Sequence, residues 1–225
     1  MTENTKEIKY VIWDNDNTLV PTAENHFHKH VSVAGKYGVD LNDTHRLRIA
    51  ANNGRQNWEW LSKEMGLNVP LETYLEEIDL VFMECAKNTP LKPGIAESLD
   101  LLKDHKIPQC IMSNSRVNSL NISVKTHRFE KYMTLIWGKE DYEGRKNTPS
   151  PYFQIKTALE KKFNDSIDMS SIIFFDDDPA CIEAAYDTGI KAVHIGDGPD
   201  PQKPERGFKN LDTTSEISAL LQELI

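Results

Sequence analysis

The sequence predicts an α/β protein whose parallel sheet is interrupted after its first strand by an all-helical insertion. Three observations predict this fold class. The short apolar run Val11–Trp13 is typical of a strand that is buried on both faces. Helical patterns, and no convincing strand, follow from Pro21 to about Thr89. Beyond that point strands and helices alternate, as they do in parallel sheets with right-handed crossovers.

The boundaries of the insertion follow from where the pattern changes. Residues 89–94 hold two prolines and a glycine, which break the helical pattern before the chain returns to the sheet. We therefore expect residues 1–20 and 90–225 to form an α/β core domain, and residues 21–89 a helical domain. In the insertion, the predicted helices cover residues 23–38, 42–51, 55–64 and a stretch after residue 70. In the core, the predicted helices cover residues 95–103, 114–127, 149–163, 179–188 and 215–224. The predicted core strands cover residues 107–112, 133–137, 171–175 and 190–195, and a loop covers residues 196–207.

Composition limits the classes of partner. The chain has 225 residues, of which 39% are hydrophobic and 27% charged, as expected of a globular protein. Its net charge of -9 and the lack of a basic stripe argue against nucleic acid. No stretch has the length needed to cross a bilayer, so no membrane partner is expected. The three cysteines show no close pairing and the N-terminus has no secretory signal, which together predict a cytoplasmic location.

Two aspartates follow the first strand with one residue between them. Asp14 and Asp16 lie at the carboxyl end of this strand, where parallel sheets present ligands and catalytic groups. Alternation along an extended chain directs both side chains the same way. Two carboxylates this close repel each other unless a cation lies between them. The alternative interpretation is an aspartate-rich turn, and residues further along the chain bear on that choice.

Other polar groups follow the second core strand and precede a later helix. Ser113 and Asn114 can bind an anion together with the N–H groups of the next helix, although both residue types are also ordinary helix caps. Lys146 lies in a loop that contains Pro149 and Pro151, and the alternative interpretation of this loop is a solvated basic surface.

A second acidic cluster follows the strand predicted over residues 171–175. Asp178 can cap the next helix, because it directly precedes Pro179. Asp176 and Asp177 cannot both be explained in this way. Like charges massed at a sheet edge are unfavourable unless a cation or a proton intervenes. The sequence therefore predicts that a cation or a proton is held beside these acids.

The order of these groups resembles the haloacid dehalogenase-like (HAD) hydrolase superfamily, over nearly the whole chain. Its motifs are matched by residues 14–19 (Asp-x-Asp-x-Thr), by Ser113–Ser115, by Lys146 with Pro149 and Pro151, and by Asp176–Asp177. Residues 146–152 look like a segment of the capped phosphatases, and the chain is also similar to the β-phosphoglucomutase-like group. The resemblance implies a Rossmann-like parallel sheet core with the insertion as a helical cap domain.

Two positions depart from the family pattern. Asn17 stands where family members often have glycine, and Cys181 stands where many have an acid in the fourth motif. The resemblance leaves open whether Asp176 or Asp178 supplies the acid lost at Cys181.

The resemblance also implies an activity and a mechanism. The protein would be a Mg2+-dependent phosphatase that acts through an aspartyl-phosphate intermediate. Asp14 would be the nucleophile, and Asp16 the general acid and base. Ser113, Asn114 and Lys146 would bind the transferred phosphate. Asp14, the backbone carbonyl of Asp16, and Asp177 would hold the metal, with Asp176 and Asp178 as outer contacts.

Two other functions remain open. A phosphomutase of the β-phosphoglucomutase type also needs Asp16, but it requires extra phosphate contacts from the insertion, where no clear basic cluster is present. A non-catalytic metal- or partner-binding protein could share the fold. The expected partner is a small-molecule phosphate ester, with Arg55 and His26 of the insertion as candidate substrate contacts. Which ester is bound, and the oligomeric state, are left open by the sequence.

Overall fold

The structure is a computed structural model that describes residues 7–200 and 202–225. The chain divides into two compact units. One unit joins the chain up to Pro21 with Pro90–Ile225, and the other is Thr22–Thr89. None of the helices in the described ranges is both long and apolar enough to cross a membrane.

The first unit is built on a parallel sheet of six strands. The strands are β1 (Tyr10–Trp13), β2 (Gln109–Met112), β3 (Met133–Trp137), β4 (Ile172–Asp176), β5 (Lys191–Ile195) and β6 (Lys209–Leu211). Their spatial order is β3-β2-β1-β4-β5-β6, and every neighbouring pair is parallel. Because β1 lies between β2 and β4, the residues that follow these three strands meet at one edge of the sheet. The α/β fold class predicted from the sequence is confirmed.

Helices accompany the strands in chain order. They are α1 (Ala23–Lys36), α2 (Arg46–Ala50), α3 (Gly54–Glu64), α4 (Leu71–Ala86), α5 (Ile95–Asp104), α6 (Val117–His127), α7 (Ser150–Phe163), α8 (Pro179–Tyr186) and α9 (Ile217–Leu224). In the first unit, alternate residues of β1 enter two different cores. Val11 and Trp13 pack with residues of α5, α6 and α9, whereas Ile12 packs with residues of α7 and α8. The sheet is therefore covered on both faces, which explains why β1 is apolar throughout.

The second unit has its own core. Trp60, Leu61, Tyr74 and Ile78 are buried there together. Residues 22–89 contain helices and turns and no strand, as the sequence predicted.

Two parts of the first unit differ from the sequence prediction. The strand at residues 191–195 is not the last, because Lys209–Leu211 adds an edge strand beside it. This strand is short, and two of its three residues are exposed, so it lacks the apolar pattern that reveals a strand. Helix α6 begins at Val117 rather than at residue 114. The preceding residues hydrogen-bond elsewhere, since the Lys139 N–H donates to the Ser115 carbonyl at 2.9 Å.

Candidate active site

The pairing of the central strands fixes the position of Asp14. Trp13 is in register with Phe175 of β4, and the Asp14 N–H continues the ladder by donating to the Phe175 carbonyl at 2.9 Å. Asp176, the last residue of β4, therefore lies beside Asp14 at the carboxyl edge of the sheet. Ser113 reaches the same edge, because its N–H donates to the Trp137 carbonyl at the end of β3.

Three carboxylates meet at this edge. One oxygen atom each of Asp14, Asp176 and Asp177 lies within 4.8 Å of the other two. All three side chains are buried, with exposed fractions of 5%, 1% and 8%. The residues that the sequence placed in two distant acidic clusters are thus brought together.

Lys146 lies among these acids and is only 1% exposed. Its Nζ forms an ion pair with Asp14 and another, at 2.8 Å, with Asp176 Oδ2. The Tyr152 hydroxyl, at 2.8 Å from the Lys146 carbonyl and 2.9 Å from the Cys181 carbonyl, ties the lysine backbone to α8. The interpretation of this loop as a solvated basic surface is therefore wrong for Lys146.

The electrostatics of the group follow from burial and from like charges. Burial raises the pKa of Asp14 well above its usual value; Lys146 lowers it, and the neighbouring carboxylates raise it again. Burial and the charge of Asp176 raise the pKa of Asp177 to about 8. Burial also raises the pKa of Asp176, against the lowering effect of Lys146. The pKa of Lys146 is raised on balance: burial lowers it, and the two paired carboxylates more than compensate.

This group suits a divalent metal ion. Three ionised carboxylates and one ammonium leave a formal charge of -2 in a buried place. Such an excess is unfavourable unless the acids take up protons or a cation binds. The available ligand atoms are all oxygens, which hard cations such as Mg2+ prefer.

Asp16 faces different partners from Asp14. Its Oδ2 accepts hydrogen bonds from the Ser115 hydroxyl at 2.6 Å and from the Ser113 hydroxyl at 3.2 Å. Asn15 Nδ2 lies 3.3 Å from its other oxygen. The side chain of Asp16 is therefore held at the loop after β2. The group of three carboxylates consists of Asp14, Asp176 and Asp177, and does not include the side chain of Asp16.

Ser113 and Asn114 are not helix caps. Residue Arg116 occupies the N-cap position of α6, and its own side chain makes no capping hydrogen bond. The first helical N–H, that of Val117, donates to Glu140 Oε2 at 2.8 Å. This N–H is therefore already bonded to a carboxylate, and anion binding by the N–H groups of this helix stays a prediction. Ser113 and Asn114 instead lie at the carboxyl edge of the sheet, where Asp14 also lies.

Asp178 has the role that its position before Pro179 suggested. It is exposed and caps α8, accepting from the Ala180 N–H at 2.9 Å. Its other oxygen is 3.3 Å from the Cys181 thiol. Asp176 therefore lies with the carboxylates at the sheet edge, whereas Asp178 contacts Cys181, the residue that replaces the expected acid.

The two candidate substrate residues of the insertion lie in the second unit. Arg55 is exposed near the start of α3. His26 is half-buried on α1 and stacks on Phe82 with 4.7 Å between the ring centroids.

Two residues at the sheet edge escaped the sequence interpretation. Ser115 is one, although it lies within the stretch that matches the second motif. Tyr142 is the other: its hydroxyl is 3.0 Å from the Ser113 carbonyl and 3.1 Å from Asn114 Oδ1. No pattern in the sequence pointed to Tyr142, because its contact spans 29 residues and depends on the path of the loop after β3.

Comparisons with known proteins agree with this geometry. The Haloacid dehalogenase-like hydrolase family profile matches residues 11–195. A curated relative, (DL)-glycerol-3-phosphatase 1, mitochondrial, of Arabidopsis thaliana, is 21% identical over 195 residues. The match covers 84% of this chain but only 64% of that protein.

Solved structures share the fold. A candidate β-phosphoglucomutase from Thermotoga maritima superposes with a TM-score of 0.83 at 19% identity, covering 97% of this chain and 100% of that one. YfnB of Bacillus subtilis, a candidate HAD-hydrolase solved with bound magnesium, superposes with a TM-score of 0.77 at 11% identity. This match covers 96% of this chain and 99% of that one. The profile spans most of the chain, including the carboxylates at the carboxyl ends of β1 and β4, and the chain therefore belongs to the haloacid dehalogenase-like hydrolases.

Proposed function

We propose that the protein is a Mg2+-dependent phosphatase that hydrolyses a small phosphate monoester through an aspartyl-phosphate intermediate. The observation that carries the proposal is the buried group of Asp14, Asp176 and Asp177 with Lys146 between two of its members. The phosphatase name of the curated relative supports the same class of reaction.

Asp14 is the proposed nucleophile. One of its carboxylate oxygens attacks phosphorus, and the bond between phosphorus and the alcohol oxygen breaks. Lys146 favours the ionised form of Asp14 against the effect of burial, because an ammonium beside a buried carboxylate lowers its pKa. Water then attacks the phosphorus, and the bond to Asp14 breaks to release inorganic phosphate.

Asp16 is the proposed general acid and base. It gives a proton to the departing alcohol and later takes one from the attacking water. Ser115 and Ser113 support this role, since their hydroxyls fix the Asp16 carboxylate from one side. The same acid is needed by a phosphomutase, so the products must separate the two reactions.

The metal site is proposed from the donors at the sheet edge. Asp14, the backbone carbonyl of Asp16, and Asp177 would hold Mg2+, with Asp176 beside them. When bound, Mg2+ would screen the anionic phosphate from the carboxylates. Asp176 is proposed to replace the acid lost at Cys181, which its place in the group supports.

Phosphate binding is assigned to Ser113, Asn114 and Lys146. Their hydroxyl, amide and ammonium groups can donate to the phosphoryl oxygens as charge develops there. We also propose that the helical unit is the cap domain and supplies substrate contacts, with Arg55 and His26 as candidates. An Arg55→Ala variant would then raise KM for the phosphate ester and leave hydrolysis of a minimal aryl phosphate nearly unchanged.

The decisive experiment is hydrolysis of an aryl phosphate with and without Mg2+, in the wild type and in Asp14→Asn. We expect metal-dependent phosphate release by the wild type and none by Asp14→Asn. Asp168→Asn is a matched control, because Asp168 caps a short turn before β4, and asparagine keeps that cap. Turnover by Asp14→Asn at the wild-type rate would refute the assignment.

Product analysis separates the alternatives. Isomerisation of a sugar phosphate without net release of phosphate would identify a phosphomutase. Absence of metal-dependent release from a panel of esters would instead favour a binding protein on this fold.

A further inference from the structure

Lys92 is a buried lysine outside the group of acids around Lys146. Only 7% of it is exposed, and burying an ammonium is costly unless it is paired. Its Nζ lies 2.5 Å from Asp197 Oδ1 and 2.6 Å from the Asn17 carbonyl. Both contacts span long stretches of chain, so Lys92 connects two loops that are remote in the sequence.

The first loop is the turn that carries Asp16. Asn17 has a φ of 61°, in the left-handed region where a residue other than glycine needs support from its surroundings. Lys92 contacts this turn twice, since its backbone N–H also donates to the Leu19 carbonyl at 3.0 Å. The residue thus holds the turn after β1 through both its backbone and its side chain.

The second loop follows β5 and forms a wall of the acidic group. Gly198, next to Asp197, lies so close to Asp177 that a Cβ on Gly198 would be 2.5 Å from Asp177 Oδ2 and 2.6 Å from its Cβ. A movement of Asp197 would therefore shift the surface against which the Asp177 carboxylate rests.

We propose that Lys92 is a positioning residue that fixes the turn after β1 and the loop after β5 relative to each other, so that the proposed metal ligands that follow β1 and β4 stay in place. Lys92 is ion-paired with Asp197 and not with Asp14, Asp176 or Asp177, although its charge lowers the pKa of Asp177 from a distance. It acts through Asn17 on one side and through Asp197 and Gly198 on the other. The inference rests on the proposed function, because it concerns the metal that this function requires.

The test is Mg2+ binding to Lys92→Met, measured by titration calorimetry on the full chain, together with kcat at saturating Mg2+. Methionine keeps the length of the stem and removes the charge. Loss of a residue that orients ligands typically weakens metal binding about 10- to 100-fold. We expect a weakening of that size, with a smaller fall in kcat once Mg2+ is saturating, because Asp14 and Asp16 are retained.

A second variant keeps the test valid if Lys92→Met does not fold. Asp197→Ala removes the other half of the ion pair and should also weaken Mg2+ binding. If the pair acts as a unit, the double variant binds Mg2+ no more weakly than the worse single variant. Effects of the two substitutions that add independently would overturn the proposal.

The matched control is Lys191→Met. Lys191 is also buried, with 8% exposed, and bonds the Ser170 carbonyl, but it lies at the first residue of β5, at the opposite end of the sheet. We expect the Lys191→Met substitution to lower the melting temperature and to leave the Mg2+ dissociation constant unchanged. Equal Mg2+ affinity in Lys92→Met and wild type refutes the positioning role while the proposed function stands. Failure of the wild type to bind Mg2+ or hydrolyse phosphate refutes the proposed function itself.

Discussion

The hydroxyl of Ser115 lies 2.6 Å from Oδ2 of Asp16. This hydrogen bond joins the loop after β2 to the loop after β1, across 99 residues of chain. A donor aimed at a carboxylate favours its ionised form and fixes its direction. The proposed general acid and base is therefore oriented by a neighbouring strand and not by its own turn alone.

A Ser115→Ala variant should show what this orientation contributes. A hydrogen bond to a charged group contributes about 1.5–3 kcal/mol, so we expect kcat/KM to fall about tenfold or more. Ser119→Ala, two residues into α6, is the control and should leave kcat/KM unchanged. An equal kcat/KM in Ser115→Ala and in the wild type would show that Ser115 does not orient the acid and base.

A Gly198→Ala variant should disturb the acidic group directly. The added Cβ would overlap Asp177, at 2.5 Å from its Oδ2, and overpacking of this kind costs about 1–3 kcal/mol. We expect lower thermal stability and Mg2+ binding weakened by at least about tenfold, measured by a melting curve and by calorimetry. Gly35→Ala adds the same atom in α1, where nothing lies within 4 Å, and should be neutral or stabilising. Wild-type Mg2+ affinity in Gly198→Ala would contradict the close approach.

Mg2+ should stabilise the protein more as pH rises. The pKa of Asp177 is raised from 3.8 to about 8 by burial and by Asp176. Because the folded state holds this proton more tightly than the unfolded state, its stabilising effect is complete below about pH 4 and is lost as pH rises toward 8. A bound cation replaces the proton, so metal affinity should rise over the same range.

The measurement is the melting temperature with EDTA and with MgCl2 at pH 6, 7 and 8. The increase due to Mg2+ should be smallest at pH 6 and largest at pH 8. Asp177→Asn should weaken this dependence, since its amide neither titrates nor repels Asp176, while Asp14 and Asp176 still titrate. A Mg2+-induced increase in melting temperature that is the same at all three pH values would mean that protons and Mg2+ do not compete for these carboxylates.

A Tyr142→Phe variant tests the support of the phosphate-binding residues. Its hydroxyl is 3.0 Å from the carbonyl of Ser113, and its loss leaves that buried acceptor unpaired at a cost of about 1 kcal/mol. We expect a modest loss of stability and a higher KM for the phosphate ester, with kcat less affected. Tyr132→Phe is the control, because its hydroxyl bonds the exposed Asp100. A KM that changes equally in both variants would exclude a specific role for Tyr142.

Much of the fold could be predicted because β1 and the first four residues of β4 are apolar, as expected of strands in a sheet that is covered on both faces. The edge strand β6 could not, since Lys209 and Asn210 are exposed and the strand is defined only by its pairing with β5. The start of α6 was misplaced for a similar reason: Ser115 is a common residue at helix starts, but its backbone and side chain bond other loops.

The sequence by itself determined that Asp14 and Asp177, which lie far apart in the chain, belong to one site. Parallel strands present their carboxyl ends at a common edge, so a motif after each strand implies proximity. Only the tertiary structure decided which neighbours act on these acids. Lys146 between Asp14 and Asp176, Ser115 on Asp16, and Lys92 between two loops depend on the directions of side chains and the paths of loops, which no local pattern encodes.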